Sequence, residues 1–362
     1  MKYDIGFLGG GQLARMSVMT AASMGLRCVS LDPSRNSPAA QVGSSVEGNL
    51  DDPAAIAELA SKCEVLTLEN EFVPVQALRE GLKSARFDPS RLFPSMETLE
   101  VIQDKYRQKR TLLDLSVPSP KVWLWGQKSS ISFPVVAKSR FGGYDGRGTI
   151  VAREQSDLDP IRNELESETW MLEEYVPFVR ELAVMVILRE GAATTYPTVQ
   201  SVQVNQVCDH VMPCEADATE VAVAAARAVS SFGLFGVELF QTDDGAILVN
   251  EIAPRPHNSG HYTMDTGGLS QFEALACLAM GWRIELSNPR EVCMVNLFGQ
   301  GCNGDFREAI SAGIRPNVRF HWYGKEEAKK GRKMGHINSW GPNALATGLE
   351  ARDSFYRKWC GS

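Results

Sequence analysis

The stretch FGVELFQTDDGAILVNEIAPRPHNSGHYT, Phe235 to Thr263, decides how the chain is read. Two apolar runs flank Asp243, Asp244 and Gly245, the turn chemistry of a β-hairpin. If Thr242 opposes Gly245, Glu238 falls opposite Val249, and side-chain alternation puts Glu251 on the same face as Glu238. The two carboxylates then stand diagonally, with Cα atoms about 7–8 Å apart, close enough to share a divalent cation. A hard oxygen-only pair suits Mg²⁺, and Asn250 adds another oxygen beside it. An isolated strand glutamate is ordinarily a solvated outer-face residue. Here, polar residues interrupting VELF and ILVNEI would cost core burial unless they serve a site. After the hairpin, Arg255, His257, Asn258, Ser259 and His261 crowd a short prolyl segment suited to an anionic substrate. Arg255 and His257 bonded to loop carbonyls would be the plainer explanation of that crowding.

Upstream, PVVAKSRFGGYDGRGTIVA (Pro134 to Ala152) sets Lys138 at the end of one strand and a glycine loop before the next. Gly142, Gly143, Gly146 and Gly148 let the backbone approach an anion, while Lys138 and Arg147 supply positive charge. GK[ST] and a following helix are missing, so this is no P-loop, and a hairpin loop with a surface lysine accounts for the loop alone equally well. Near the end, HWYGKEEAKKGRKMGH gathers Lys325, Lys329, Lys330, Arg332 and Lys333. Such a run is usually a solvated face, but Gly324 and Gly331 make it a candidate phosphate pocket. No Ser-His-Asp or Cys-His spacing indicates a covalent nucleophile.

The chain opens IGFLGGGQLARM, Ile5 to Met16. Gly9, Gly11 and Ala14 satisfy G-x-G-x-x-A and Asp32 ends the next apolar run, the pattern of a dinucleotide-binding turn. Strand and helix signals alternate to about residue 100, which predicts a parallel sheet with Gly9 to Leu13, Asp32 and Glu69 to Glu71 facing one crevice. The Pro-bounded FDPSRLFPS marks a boundary, and METLEVIQDKYRQKRTLLDL reads as one charged helix ending at VPSP. Three units are expected: a Rossmann-like domain over 1–100, a small antiparallel α+β lid over 101–182, and a larger α+β domain over 183–362. The fold class is therefore α/β joined to α+β.

At 362 residues the chain is long enough for two or three cores. Its net charge of -7 excludes a general nucleic-acid binder, so any anion site must be local. Eight scattered cysteines without a CxxC pair predict reduced thiols rather than zinc or a disulfide framework. The amino terminus enters a strand directly, with neither a signal-peptide pattern nor a membrane-spanning run, which predicts a cytoplasmic protein without membrane partners.

Taken in order, GGGQLARM, ENEFVP, QDKYRQK, KSRFGGYDGRG, EEYVPFVREL, VELF, NEIAPRPHNSGHYT and YGK…GRKMGH resemble the N5-carboxyaminoimidazole ribonucleotide synthetases, ATPase subunits of phosphoribosylaminoimidazole carboxylase within the ATP-grasp superfamily. The resemblance runs from about residue 5 to 338. It implies a C–N bond-forming ligase of purine biosynthesis, a homodimer in the cytoplasm. The enzyme would use ATP and Mg²⁺, with Mn²⁺ as a substitute, to join bicarbonate to 5-aminoimidazole ribonucleotide through carboxyphosphate, releasing ADP and phosphate.

By the same resemblance, Lys105 and Lys138 touch ATP phosphates under the loop containing Gly143, Gly146 and Gly148. Glu173, Glu174, Tyr175 and Val176 read adenine, Glu181 binds ribose hydroxyls, and Glu238 with Glu251 hold the metal beside Asn250. Ribonucleotide contacts fall on Gln12, Leu13, Glu71, Tyr144, Asp145, Arg255, His257, Lys325, Arg332 and Lys333. Arg147 and Lys325 are candidates for bicarbonate, and Asp145 and His257 for the amine base. Phosphoryl transfer depends on positioning and charge neutralisation, so lysines, magnesium and donor-rich loops are its expected tools. Two departures stand out: Ala14 replaces a frequent glycine, and Gln200-Ser201 replaces an expected Glu-Asn pair.

A nicotinamide dehydrogenase would explain the opening glycines and Asp32 but neither the paired glutamates nor the second glycine loop. Other ATP-grasp ligases, such as a formate-dependent glycinamide ribonucleotide transformylase or a biotin carboxylase-like enzyme, would share fold and ATP site. A nucleotide-binding sensor would have no need of every metal and phosphate ligand.

Overall fold

The structure is a computed structural model and describes residues 2–127, 131–143, 148–302 and 304–361. The first sheet contains β1 (Tyr3–Leu8), α1 (Gln12–Ser23), β2 (Cys28–Asp32), β3 (Ser44–Glu47), α2 (Pro53–Lys62), β4 (Cys63–Leu68), α3 (Val75–Ser84) and β5 (Leu92–Phe93), with strand order β3-β2-β1-β4-β5. Every ladder in it is parallel, as the alternating pattern predicts, so the carboxyl ends of β1 and β4 open on one crevice. A side chain at Gly11 would run into the Glu69 carboxylate, which is why the turn before α1 is built from glycine. Asp32 accepts the backbone N–H of Gly10 at 3.0 Å and of Ser34 at 2.9 Å, so its carboxylate is occupied in closing the turn.

The charged helix expected after the first sheet is two helices, α4 (Met96–Gln103) and α5 (Lys105–Asp114). The break falls at Asp104, whose extended backbone ends α4 while its carboxylate caps α5 by accepting the Tyr106 N–H at 3.0 Å. Arg140 grips the same carboxylate at 2.6 and 3.0 Å. That contact ties α5 to an antiparallel sheet of order β6-β9-β7-β8, made of β6 (Val122–Trp123), β7 (Val135–Ser139), β8 (Thr149–Ala152) and, after α6 (Arg162–Glu166), β9 (Trp170–Glu174).

The third sheet is the largest. It takes β10 (Phe178–Arg189), β11 (Ala192–Thr195), β12 (Val199–Val204), β13 (Val207–Pro213), then α7 (Thr219–Val229), β14 (Gly233–Thr242), β15 (Ile247–Ala253) and α8 (Gln271–Met280). β16 (Val292–Phe298), α9 (Phe306–Gly313), β17 (Val318–Trp322), β18 (Lys333–Trp340) and α10 (Ala344–Cys360) complete it. The strand order is β15-β14-β10-β12-β13-β16-β18-β17, with β11 paired to β10. The apolar run LAVMVIL in β10 is continuous because both of its faces are buried. Leu182, Val184, Val186 and Leu188 pack with α7, while Met185 and Ile187 join a core shared by α8, α1 and β1. This shared core holds the amino terminus of α1 against the large sheet.

Cys302 and Cys360 form a disulfide, with Cα atoms 5.4 Å apart across 58 residues of sequence, which corrects the expectation of eight reduced thiols. The end of α10 packs back onto the loop after β16, so two cysteines with no telling spacing meet. Among the described residues, no helix is long and apolar enough to cross a membrane.

Candidate active site

The β14–β15 hairpin forms as expected, but its register carries two extra residues. The turn holds three residues between Thr242 and Ala246, with the Thr242 N–H donating to the Ala246 carbonyl at 3.0 Å. A bulge then falls at Asn250, so Glu238 pairs directly with Glu251 rather than with Val249. Two one-residue shifts keep both glutamates on one face and turn diagonal neighbours into opposed ones, with Cα atoms roughly 5 Å apart. The cause is packing. Val249 and Ile252 both enter the core under α7, which strict alternation forbids, since they stand three positions apart, an odd offset. Burying these two side chains contributes about 2 kcal/mol each, and the bulge reconciles that burial with a polar Asn250 and Glu251 that both face the cleft.

β15 is the edge of its sheet, and one face of α5 covers it. Lys105, Gln108 and Lys109 stand at i, i+3 and i+4. Gln108 donates to the Ile252 carbonyl at 3.3 Å and accepts the Ile252 N–H at 3.0 Å. Lys109 donates to the Val249 carbonyl at 2.7 Å, and Lys105 forms an ion pair with Glu251. Burial disfavours the Lys105 ammonium, but Glu251, joined by Glu71 and Glu238, outweighs it and raises the pKa. Gln108 and Lys109 are buried residues that sequence reasoning missed, because they sit in a run that reads as a solvated charged helix.

Between the small and large sheets lies a cavity of about 610 Å³. Lys105, Lys138, Gly143, Glu173, Glu174, Tyr175, Val176, Glu181 and Asn250 all line it. The Lys138 ammonium donates to Glu173 Oε1 at 2.6 Å and to Asn250 Oδ1 at 3.2 Å. Glu173 is buried, and despite that burial Lys109 and Lys138 hold its carboxyl below the usual range. Its carboxylate is thus committed to two lysines beneath the cleft. Gly148 lies at the base of the glycine loop, where its carbonyl accepts the Ser139 N–H at 2.7 Å. Tyr144, Asp145, Gly146 and Arg147 lie outside the described residues. Gln200 and Ser201 line this cavity, Ser201 opposite Glu181 in the β10–β12 ladder.

A second cavity, about 680 Å³, opens against the first sheet. Gln12 and Leu13 at the start of α1, Glu71 after β4, Arg255 and His257 after β15, Lys325 and Arg332 between β17 and β18, and Lys333 at the start of β18 converge on it. Arg255 grips Glu71 through Nε and Nη2, the Nη2 bond measuring 2.9 Å. Burial opposes ionisation of Glu71, yet Arg255 holds its carboxyl below the usual range. His257 Nε2 lies 3.3 Å from Glu238 Oε1, and Nδ1 lies 2.8 Å from Ser259 Oγ. Gln271, fully buried on α8, holds that loop from behind. Its Oε1 accepts the His257 N–H at 2.9 Å, and its Nε2 donates to the His257 carbonyl at 3.0 Å and to His261 Nδ1 at 2.9 Å. Nothing in the sequence around Gln271 singled it out.

Glu238, Glu251 and His257 line both cavities and so form their common wall. Burial first, then the Glu251 and Glu181 carboxylates, push the Glu238 carboxyl up to about 7. That excess negative potential is what a divalent cation relieves. Among the described residues, no three His, Cys, Asp or Glu side chains could hold a metal by themselves, so a cation bound by this pair would draw its remaining ligands from phosphate and water. A larger hollow of about 950 Å³ at Arg290, Trp340 and Leu345 lacks such convergent charge.

Comparison with known proteins gives this arrangement a context. A ribonucleotide synthetase preATP-grasp domain matches residues 1–103, an ATP-grasp domain matches 124–272, and a phosphoribosylaminoimidazole carboxylase C-terminal domain matches 292–348. The N5-carboxyaminoimidazole ribonucleotide synthase of Synechococcus elongatus is 38% identical over 357 residues, covering 92% of this chain and 88% of that one. The phosphoribosylaminoimidazole carboxylase of Ogataea methanolica is 39% identical over 360 residues. The chain spans about two thirds of the length of that relative and of its Schizosaccharomyces pombe counterpart, at 66% and 64%. The crystal structure of carboxyaminoimidazole ribonucleotide synthase from Aspergillus clavatus complexed with ATP superimposes with a TM-score of 0.88 at 32% identity, covering 99% of each chain.

A parallel sheet followed by two antiparallel sheets that enclose a lysine- and carboxylate-lined cleft defines an ATP-grasp ligase. Within that class, the chain belongs to the N5-carboxyaminoimidazole ribonucleotide synthase family.

Proposed function

We propose that this chain uses ATP to carboxylate 5-aminoimidazole ribonucleotide with bicarbonate, yielding N5-carboxyaminoimidazole ribonucleotide, ADP and phosphate in purine biosynthesis. The observation that carries this reading is the wall of Glu238, Glu251 and His257 common to the two cavities, one suited to a nucleoside triphosphate and the other to a phosphorylated sugar. A related Aspergillus clavatus synthase, 31% identical with a TM-score of 0.86, has been solved with ADP and 5-aminoimidazole ribonucleotide, which supports the same assignment.

In this reading residues 1–100 bind the ribonucleotide, the small antiparallel sheet within 101–182 forms the lid, and 183–362 carry the metal and substrate sites. Lys105 and Lys138 orient the ATP phosphates, the segment Glu173 to Val176 meets adenine at the strand end, and Glu181 meets the ribose. Glu238 and Glu251 would hold Mg²⁺, which when bound neutralises phosphate charge. Bicarbonate oxygen attacks the γ-phosphorus and ADP leaves, forming carboxyphosphate. The exocyclic amine then attacks its carbonyl carbon, phosphate departs, and the amine proton passes to a base. His257, with Glu238 beside its Nε2, is one candidate for that base, and Asp145, outside the described residues, is the other. Lys325, Arg332 and Lys333 bind the ribonucleotide phosphate, and Gln12 with the amino terminus of α1 meets the sugar end. ADP release measured with Mg-ATP should require both bicarbonate and the ribonucleotide. No stimulation by 5-aminoimidazole ribonucleotide would sink the substrate assignment.

A further inference from the structure

Helix α5 carries a cation that touches no proposed ligand. The Lys109 ammonium is buried, 2.7 Å from the Val249 carbonyl and 3.3 Å from Glu173 Oε2, and lies outside the lining of both cavities. Glu173 is buried as well, and its other oxygen holds Lys138 at 2.6 Å on the wall of the nucleotide cavity. Two lysines therefore share one carboxylate, and the trio carries a net charge of about one positive. Burying a charge is costly unless it is paired. Here the cost is visible: burial draws the Lys109 pKa down to about 8 even with Glu173 beside it. The Val249 carbonyl does not demand a cation, since Ser119 Oγ donates to the same oxygen at 3.3 Å. What only a cation supplies at this position is charge compensation of Glu173.

We propose that Lys109 is a positioning residue for nucleotide binding: it neutralises Glu173 from beneath, so that the Lys138 ammonium directs its charge at the phosphates of a nucleoside triphosphate. Without Lys109, Glu173 and Lys138 cancel, and the wall offers the phosphates a dipole in place of a cation. This rests on the reading that the cavity between the two antiparallel sheets holds ATP. It does not depend on the identity of the second substrate.

The test is direct binding of Mg-ATP and of adenosine by calorimetry, with neither bicarbonate nor ribonucleotide present. Lys109→Met should weaken ATP about tenfold and leave adenosine unchanged. The double variant Lys109→Met with Glu173→Gln restores the net charge and should recover most of the lost ATP affinity. A double variant no better than Lys109→Met, or equal losses for ATP and adenosine, would overturn the proposal. If Lys109→Met does not fold, Glu173→Gln carries the test alone. With both lysines uncompensated, its ATP affinity relative to adenosine should hold or rise, and a tenfold fall refutes the argument. Wild-type protein that binds ATP but shows no ribonucleotide-dependent ADP release would end the carboxylation reading and leave this one intact. Wild-type protein that binds no ATP would end both.

Discussion

Glu238→Gln should make the nucleotide-free protein more stable above neutral pH while removing metal-dependent turnover. Burial and the neighbouring Glu251 and Glu181 carboxylates raise the Glu238 carboxyl from 4.5 to about 7. At about 1.4 kcal/mol for each pH unit, that displacement disfavours the ionised folded state by at most about 3.5 kcal/mol. A third of the side chain stays exposed, at 33%, so solvent screening reduces the expected cost to about 1–2 kcal/mol. Below pH 4.5 the group is protonated in both folded and unfolded chains and contributes nothing. Between 4.5 and about 7 the unfolded chain ionises first, so stability falls as pH rises, and above about 7 the penalty is complete. Glutamine is neutral throughout, so its advantage should be largest at pH 8 and small at pH 5. Thermal and denaturant unfolding at those two pH values provide the assay, with Mg-ATP absent. An equal gain at both pH values, or a loss at pH 8, would refute the electrostatic account of this wall.

Two further outcomes follow from the same geometry. Glu251→Gln should lower metal-dependent ADP release by about a hundredfold with the circular dichroism spectrum unchanged, because the Ile252 and Val249 contacts that hold β15 under α5 do not involve its carboxylate. Gln271→Leu removes the hydrogen bonds to both backbone groups of His257. It should raise KM for the ribonucleotide about tenfold while leaving KM for ATP unchanged. A defect confined to ATP would show that Gln271 does not act through His257.

Much of the site was legible locally. VELF and ILVNEI flanking an Asp-Asp-Gly turn put two carboxylates on one sheet face, and the glycine turn at Gly9 to Gly11 did mark one wall of a crevice, with Asp32 serving the turn. The motif order from GGGQLARM to GRKMGH carried the family. The register was not legible, because it depends on α7 demanding both Val249 and Ile252, and α7 lies outside the hairpin. Two polar residues between two apolar ones in VNEI are the trace of that bulge. The break at Asp104 was also hidden, since Asp suits a charged helix surface as well as a cap, and the Arg140 that engages it comes from another sheet.

By itself, the sequence determined what depends on near neighbours: strand alternation, turn chemistry, and which residue types carry the phosphate and metal chemistry. Tertiary structure alone decided what depends on distant partners. It placed Glu238 directly opposite Glu251, covered the β15 edge with Lys105, Gln108 and Lys109, brought Gln271 behind His257, and joined Cys302 to Cys360. The physical reason is the same in each case. A side chain's charge state and reach are set by the low-dielectric surroundings that other segments build around it, and those segments lie far away along the chain.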